Sequence, residues 1–212
     1  MDHTTYTAAI AERLGSRGHP EAIPGMFRTI LCELAKGRPA SREHLAAALG
    51  WPLTRVDAAL EQIPGIEYDD DRNIVGYGLT LRETAHAFEI DGRRLYTWCA
   101  LDTLIFPALI GRTARVASHC PMTGMPISMT VGPDKLERVA PANPKVSLVM
   151  PGAEADIRRS FCCHVLFFAS GEAADRWASQ HEEAEVVSVD DAFRIGREIA
   201  RRLSQSTASA AK

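Results

Sequence analysis

The chain has 212 residues, 46% of them hydrophobic, and a formal net charge of −3 at neutral pH. That length and hydrophobic content are enough for one large domain or two small ones with a proper core. Acidic and basic residues are well mixed, so no basic surface for nucleic acid or for an anionic membrane stands out. No apolar run approaches the roughly 20 residues that span a bilayer.

The N-terminus and the cysteines indicate the compartment. Residues 1–4 have neither the basic nor the apolar region of a secretory signal, so we expect a cytoplasmic protein. The chain has an odd number of irregularly spaced cysteines, namely Cys32, Cys99, Cys120, Cys162 and Cys163. In the cytoplasm these are expected to be free thiols, whose special roles are metal binding or catalysis. No Cys-x-x-Cys pair is present, so support for a structural zinc site is weak.

The first part of the chain has the element order of a winged helix-turn-helix module. Helices are predicted in residues 1–22, 26–34, 41–49 and 54–63, and short strands in residues 66–68 and 74–81. Ser41 is a predicted N-cap, and Thr54 with Asp57 three residues later is typical of a capping box. Helices followed by a β-hairpin indicate a winged helix-turn-helix fold, which makes a transcription regulator the first alternative to consider.

The charges of this module argue against DNA binding. Phosphate contacts dominate affinity for DNA and require Lys and Arg on the recognition helix and the wing. The predicted recognition helix instead sets Arg55 against Asp57 and Glu61, and the predicted wing tip is the acidic run 69–71. We therefore expect a helix-turn-helix scaffold that does not bind nucleic acid.

The rest of the chain alternates between strands and helices. Strands are predicted in residues 83–90, 113–119, 126–131, 136–140, 145–150, 161–169 and 186–188, and helices in residues 95–105, 153–160, 171–181 and 190–203. Pro107 is expected to end or kink the apolar helix 95–105. The predicted class is α+β, with a winged-helix-like module at residues 1–80 and a mixed β-sheet domain with flanking helices at residues 81–212.

A thiol and a carboxyl group lie three residues apart in the apolar helix. Positions i and i+3 of a helix fall about 60° apart on one face, so Cys99 and Asp102 are predicted to reach the same small volume. An acid among apolar side chains stays protonated or finds a partner. A thiol beside a proton-bearing carboxyl suggests that a soft metal or electrophile binds sulfur while a proton is delivered next to it. Cys162 and Cys163 are the candidate second thiols.

Plainer interpretations of these residues remain open from physics alone. Adjacent side chains of a strand point to opposite faces, so at most one of Cys162 and Cys163 can face a given site, and both can be buried core thiols. Cys120, in a turn rich in Gly and Pro, is expected to be structural. His164 can be a ligand or a buried histidine with a hydrogen-bond partner, and Asp102 can simply bond nearby backbone groups.

Three segments of the sequence resemble the organomercurial lyase (alkylmercury lyase) family. They are residues 76–84 (GYGLTLRET), 96–104 (YTWCALDTL) and 160–165 (SFCCHV). The likeness spans nearly the whole chain, and its motifs are specific because they join two remote cysteines to one acid. The resemblance implies an enzyme of mercury detoxification that cleaves the carbon–mercury bond of alkyl- and arylmercury compounds, giving a hydrocarbon and Hg(II).

The resemblance also implies the roles of individual residues. Cys99 and Cys162 match the thiols that capture mercury, and Asp102 matches the proton donor, so mercury as substrate and product is bound by this trio. Cys120 matches a structural cysteine and Cys163 an accessory one. No organic cofactor is implied, and Hg(II) passes to mercuric reductase or to cellular thiols.

The chemistry of mercury agrees with this trio. Soft thiolates select soft metals, and a departing carbanion-like fragment needs a positioned acid. A thiol-based mercury or copper carrier, which binds metal without breaking a bond, is the second alternative to a lyase.

Overall fold

The computed structural model of the chain describes residues 2–15, 23–150 and 157–209. The α-helices in these ranges are α1 (His3–Gly15), α2 (Ile23–Leu34), α3 (Arg42–Leu49), α4 (Leu53–Glu61), α5 (Ala100–Ile110), α6 (Ile157–Ser160), α7 (Gly171–Ala178) and α8 (Val189–Ser209). The strands are β1 (Glu67–Tyr68), β2 (Ile74–Tyr77), β3 (Leu79–Thr80), β4 (His86–Ile90), β5 (Arg93–Thr97), β6 (Ala114–His119), β7 (Pro126–Val131), β8 (Leu136–Ala140), β9 (Lys145–Leu148), β10 (Phe167–Phe168) and β11 (Glu185–Ser188). A 3₁₀ helix covers Cys162–His164.

The strands form two sheets. Eight of them pair in the order β1-β2-β3-β5-β4-β6-β7-β8, and the other three in the order β10-β9-β11. Every strand pair in the described ranges is antiparallel. The predicted α+β class is confirmed, whereas the expected mixed pairing is corrected to an antiparallel one, because hairpins rather than helical crossovers connect most neighbouring strands.

The N-terminal module has the predicted element order. The Ser41 hydroxyl accepts the backbone N–H of His44 at 3.2 Å, so the predicted N-cap of α3 is confirmed. The predicted capping box at Thr54 is wrong. Pro52 is the N-cap of α4, and its carbonyl accepts the N–H groups of the residues three and four positions later, so Thr54 already lies inside the helix.

Two predicted helices extend beyond the described residues. The helix predicted over 1–22 corresponds to α1, which ends at Gly15; residues 16–22 lie outside the described ranges. The helix predicted over 153–160 corresponds to α6, and residues 153–156 also lie outside those ranges.

Helix α5 is the buried centre of the fold, and its predicted bounds need correction. Residues 95–97 belong to β5, where Leu79 pairs with Thr97, and the helix begins only at Ala100. Pro107 lies inside the helix, which continues to a left-handed cap at Gly111. A helix that is apolar on all sides must be covered on all sides, and nine residues of α5 are buried. In the described ranges no helix combines the length and apolar character needed to cross a membrane.

The strand predicted over 161–169 is also wrong in its first half. The backbone N–H groups of His164 and Val165 bond to the carbonyls of Phe161 and Cys162, which closes the 3₁₀ helix and leaves only Phe167–Phe168 extended. The Ser147 hydroxyl of β9 donates to the His164 carbonyl at 2.7 Å. This buried serine therefore fixes the turn against the smaller sheet.

Candidate active site

The structure brings Cys99, Asp102 and Cys162 together. Their two sulfur atoms and a carboxylate oxygen all lie within 4.8 Å of one another, and all three residues are buried. In the described ranges no other group of three His, Cys, Asp or Glu side chains converges closely enough to hold a metal ion. The thiol–acid–thiol arrangement is thus a distinct feature of this fold.

The start of helix α5 places Cys99 next to Asp102. Cys99 has extended backbone angles (φ −145°, ψ 169°) and is the N-cap, while Asp102 is the third helical residue. The Cys99 N–H donates to the Asp102 Oδ2 at 3.2 Å, and the Cys99 sulfur faces the Asp102 N–H, which together form a capping box. The two side chains therefore meet through the cap, and not through the shared helix face that the spacing predicted.

A backbone hydrogen bond brings Cys162 to this cap. The N–H of Ala100 is at the start of the helix and has no acceptor within it. It donates instead to the carbonyl of Val165 at 3.0 Å. Val165 in turn donates its N–H to the Cys162 carbonyl at 3.2 Å. The helix terminus thus holds the 3₁₀ helix that presents Cys162, although the two segments are about sixty residues apart in sequence.

Burial favours the protonated forms of the acid and of the two thiols. Desolvation raises the pKa of Asp102 to about 7, although hydrogen bonds with Cys99 favour the ionised form. Desolvation, followed by the Cys162 thiol and the Asp102 charge, raises the pKa of Cys99 well above its ordinary value. The largest influence on Cys162, the bond with the Cys99 thiol, lowers its pKa, but desolvation and neighbouring negative charge outweigh it and the net shift is upward.

Apolar side chains surround the trio. A cavity of about 20 Å³, room for about one water molecule, adjoins the acid and one thiol. Its walls are Ile10, Phe27, Tyr77, Gly78, Trp98, Leu101, Ile105, Phe106, Ile157 and Phe161, in addition to Asp102 and Cys162. Gly78 has a φ of +76°, and a Cβ there would lie 2.7 Å from the Phe106 ring. Trp98, Leu101 and Phe106 thus form an apolar wall beside the acid and the thiol.

Sequence reasoning missed the contribution of the N-terminal helices. Ile10 of α1 and Phe27 of α2 line the cavity, and the Tyr77 ring makes edge-to-face contacts with Phe27 at 5.4 Å and with Trp98 at 5.8 Å. One turn before Ile10, Tyr6 is fully buried, and its hydroxyl has no hydrogen-bond partner among the described residues. Helical periodicity marks such residues as core, but it does not indicate which site the core encloses.

The remaining cysteines lie apart from the trio. Cys163 is exposed, whereas the neighbouring Cys162 is buried, as expected for at most one thiol facing the site. His164 does not share the environment of Cys162; it faces His181, with ring centroids 6.2 Å apart. Cys120 is buried in the β6–β7 turn and Cys32 is partly exposed on α2.

Comparison with known proteins assigns the family. The family model described as "Alkylmercury lyase" matches residues 79–201, and the one described as "Helix-turn-helix domain of alkylmercury lyase" matches residues 5–78. The chain belongs to the alkylmercury lyase family. It is therefore an enzyme of carbon–mercury bond cleavage.

Individual alkylmercury lyases are similar to this chain along nearly their whole length. The alkylmercury lyase of Pseudomonas putida is 56% identical over 207 residues, which cover 98% of each chain. That of Staphylococcus epidermidis is 45% identical over 97% of this chain and 95% of its own. The crystal structure of the mercury-bound form of MerB2 superimposes with a TM-score of 0.79 at 27% identity, covering 94% of this chain and 99% of MerB2.

The raised pKa of Asp102 predicts a pH-dependent stability difference between the parent enzyme and Asp102→Asn. Between about pH 4 and about pH 7, the unfolded carboxyl is ionised while the folded one still holds its proton. The folded state therefore binds more protons, and the parent loses stability relative to the variant as pH rises through this window. The change is on the order of 4 kcal/mol and levels off above the folded pKa.

Urea unfolding of both proteins across this window measures the difference. Buried His86, whose pKa burial lowers to about 4, contributes equally to both proteins and cancels. A stability difference that does not change with pH would contradict the raised pKa of Asp102.

Proposed function

We propose that Cys99, Asp102 and Cys162 carry out the cleavage, with the thiols as mercury ligands and the carboxyl as proton relay. The observation that carries this proposal is the convergence of the two sulfurs and the carboxylate oxygen within 4.8 Å. Linear coordination by two thiolates suits Hg(II), a soft cation, and the same small volume contains a proton-bearing acid.

Capture is the first step. One thiol replaces the ligand X of R–Hg–X, forms an S–Hg bond and gives up its proton, because only a thiolate binds metal. Asp102, with a pKa of about 7, can accept that proton and release it again near neutral pH. The organic group R occupies the apolar surroundings of Trp98 and Phe106.

Cleavage needs the second thiol. Its sulfur adds electron density to mercury and weakens the bond to carbon, and the electron pair of the C–Hg bond stays on carbon. Asp102 delivers a proton to that carbon as it leaves, so R–H forms and Hg(II) remains bound to both sulfurs. The protons balance, because two thiols lose one each, one ending on R and the other on X. Mercury does not change its oxidation state between R–Hg(II) and Hg(II).

This chemistry requires no organic cofactor, since the thiols and the acid supply every ligand and proton that the reaction uses. Free thiols such as those of the cytoplasm would remove Hg(II) from the site by ligand exchange and restore the protonated cysteines. We propose cellular thiols and mercuric reductase as acceptors of the product, and the cytoplasm as the compartment where both are available.

Both thiols are predicted to be essential. Cys99→Ala and Cys162→Ala are each expected to abolish turnover, because one thiolate captures R–Hg without activating it. Cys32→Ala is the matched control and should leave turnover nearly intact, because Cys32 is partly exposed on α2 and belongs neither to the trio nor to the cavity wall. The assay mixes each folded variant with phenylmercury and excess thiol and measures benzene and Hg(II).

Near-parent rates in either active-site variant would refute the two-thiol mechanism. Binding of mercury by the parent without any benzene would favour a metal carrier instead.

The acid is predicted to act in proton transfer. Asp102→Asn keeps the size of the side chain and both thiols, so R–Hg should still be captured. Benzene formation should slow by about 10²- to 10⁴-fold, the effect of removing a general acid. Single-turnover measurement separates thiol loss from benzene release. Parent-rate release would make Asp102 structural, and a folded variant that captures no R–Hg would assign Asp102 to capture.

We propose that residues 1–80 form a module that does not bind DNA and serves the catalytic residues 81–212. Two cations of α3 and α4 are already engaged, since Arg42 pairs with Asp57 at 2.9 Å and the Arg55 guanidinium stacks 3.9 Å from the Trp51 ring centroid. Carboxylates of α4 and the β1–β2 turn line the adjoining groove. We expect no salt-sensitive binding of the intact enzyme to duplex DNA in a low-salt titration. A sequence-specific shift would contradict this.

A further inference from the structure

An ion pair connects the N-terminal module to the segment that carries Cys162. Arg158 of α6 contacts Glu67 of β1 through its Nη1 and the Glu67 Oε1. Arg158 precedes Cys162 by four residues, whereas Glu67 lies on the edge strand of the eight-stranded sheet. The contact therefore spans 91 residues of sequence and ends beside the candidate active site.

Both oxygens of the Glu67 carboxylate have partners. Oε1 contacts Arg158, and Oε2 accepts the hydroxyl of Thr80 at 2.5 Å. The Glu67 side chain is only 9% exposed and Thr80 is fully buried, so the carboxylate is fixed and largely removed from water. A buried charge is tolerated when such partners satisfy it, and removing one of them is costly.

Gly76 provides the space for this carboxylate. A Cβ at Gly76 would overlap the Glu67 Oε2 and would lie 2.6 Å from the Thr80 Oγ1. Its φ lies outside the left-handed region, so the absence of a side chain, and not the backbone conformation, is what the position requires. Gly76 thus has a specific role in accommodating Glu67.

Helix α6 depends on contacts of this kind for its position. It has only four residues, too few to be stable by itself. Its first residue, Ile157, faces the cavity and accepts the backbone N–H of Phe161 at 3.0 Å, which joins α6 to the 3₁₀ helix of Cys162. The Arg158 guanidinium lies 5.4 Å from the centroid of the Trp98 ring, next to Cys99.

We propose that Glu67 is a positioning residue, which holds the Cys162 segment at the reaction distance from Cys99 through Arg158. The inference rests on the role proposed above for Cys162. Val165 and Ser147 fix the segment after Cys162, and the Glu67–Arg158 pair fixes the segment before it. Glu67 thereby contributes to cleavage without touching the substrate.

If the Cys162 segment is displaced, the two steps of the reaction are expected to respond differently. Capture needs one sulfur, so a displaced Cys162 leaves it intact. Cleavage needs both sulfurs on one mercury atom, and a misplacement of about 1 Å in such a geometry costs on the order of 10²-fold in rate. A loss of folding, by contrast, would lower capture and cleavage together.

Glu67→Gln tests whether cleavage slows while capture is unchanged. Glutamine keeps the size of the side chain and an oxygen for the Thr80 hydroxyl, but it removes the charge that pairs with Arg158. In a single turnover with one equivalent of phenylmercury, we expect capture with unchanged stoichiometry, followed by benzene release about 10- to 100-fold slower than in the parent. Asp57→Asn is the matched control, because it removes a surface ion pair of the same module and should release benzene at the parent rate.

Two further variants test the pathway through Arg158. Gly76→Ala places a methyl group against the carboxylate and should reproduce the slow cleavage without altering either member of the pair. Arg158→Gln combined with Glu67→Gln should be no slower than the slower single variant, because both changes break the same interaction.

Several outcomes would overturn the proposal. One is benzene release at the parent rate by Glu67→Gln, and another is a double variant whose rate losses are additive. A third is a loss of both capture and cleavage in proportion to the folded fraction measured by circular dichroism. Cys162→Ala in the same assay distinguishes a failure of the positioning role of Glu67 from a failure of the role proposed for Cys162. If Cys162→Ala cleaves normally, the assigned role of Cys162 fails. If it does not cleave and Glu67→Gln matches the parent, only the positioning role fails.

Discussion

The N-terminus of helix α5 is the constraint on which the site depends. A helix start leaves backbone N–H groups unpaired, and here Cys99, Asp102 and the Val165 carbonyl occupy positions at those groups. Sulfur is a weak acceptor, so a cysteine N-cap stabilises the helix less than Ser or Asp would. Such a departure from the local rule is expected where function, and not stability, selects the residue.

Much of the fold could be predicted from local patterns. The helices of the first module repeat apolar residues at helical spacing, and the β6–β7 hairpin alternates buried and exposed residues, so their periods identify them. The run from Leu95 to Ile105 could not be divided correctly, because it is largely apolar and contains no Gly or Pro that would separate β5 from α5. Pro107 does not end the helix, since the packing around a buried helix outweighs one missing hydrogen bond.

The site was predictable in composition but not in geometry. The cysteines and the acid could be selected by resemblance and by the chemistry of soft metals, yet the helix face assumed for Cys99 and Asp102 was wrong, and so was the strand assumed for Cys162. Long-range contacts decided both, through the Val165 carbonyl and the Ser147 hydroxyl. Nothing local in the sequence indicates that Ile10, Phe27 or Glu67 belongs near these residues.

The protonation of the site bears on the proposed preference of the thiol pair for mercury over hard metals. Desolvation raises the pKa values of Cys99, Cys162 and Asp102, so near neutral pH the two thiols stay uncharged and only the partly ionised carboxyl can attract a hard divalent cation. Binding any metal here requires thiol protons to leave, and the metal–sulfur bond must compensate for that loss. Mercury forms the strongest such bonds among soft cations, and in the proposed mechanism the displaced protons are the ones that the carbon and the departing ligand require. In the proposed mechanism, burial therefore disfavours hard metals and keeps the protons for cleavage in the same three side chains.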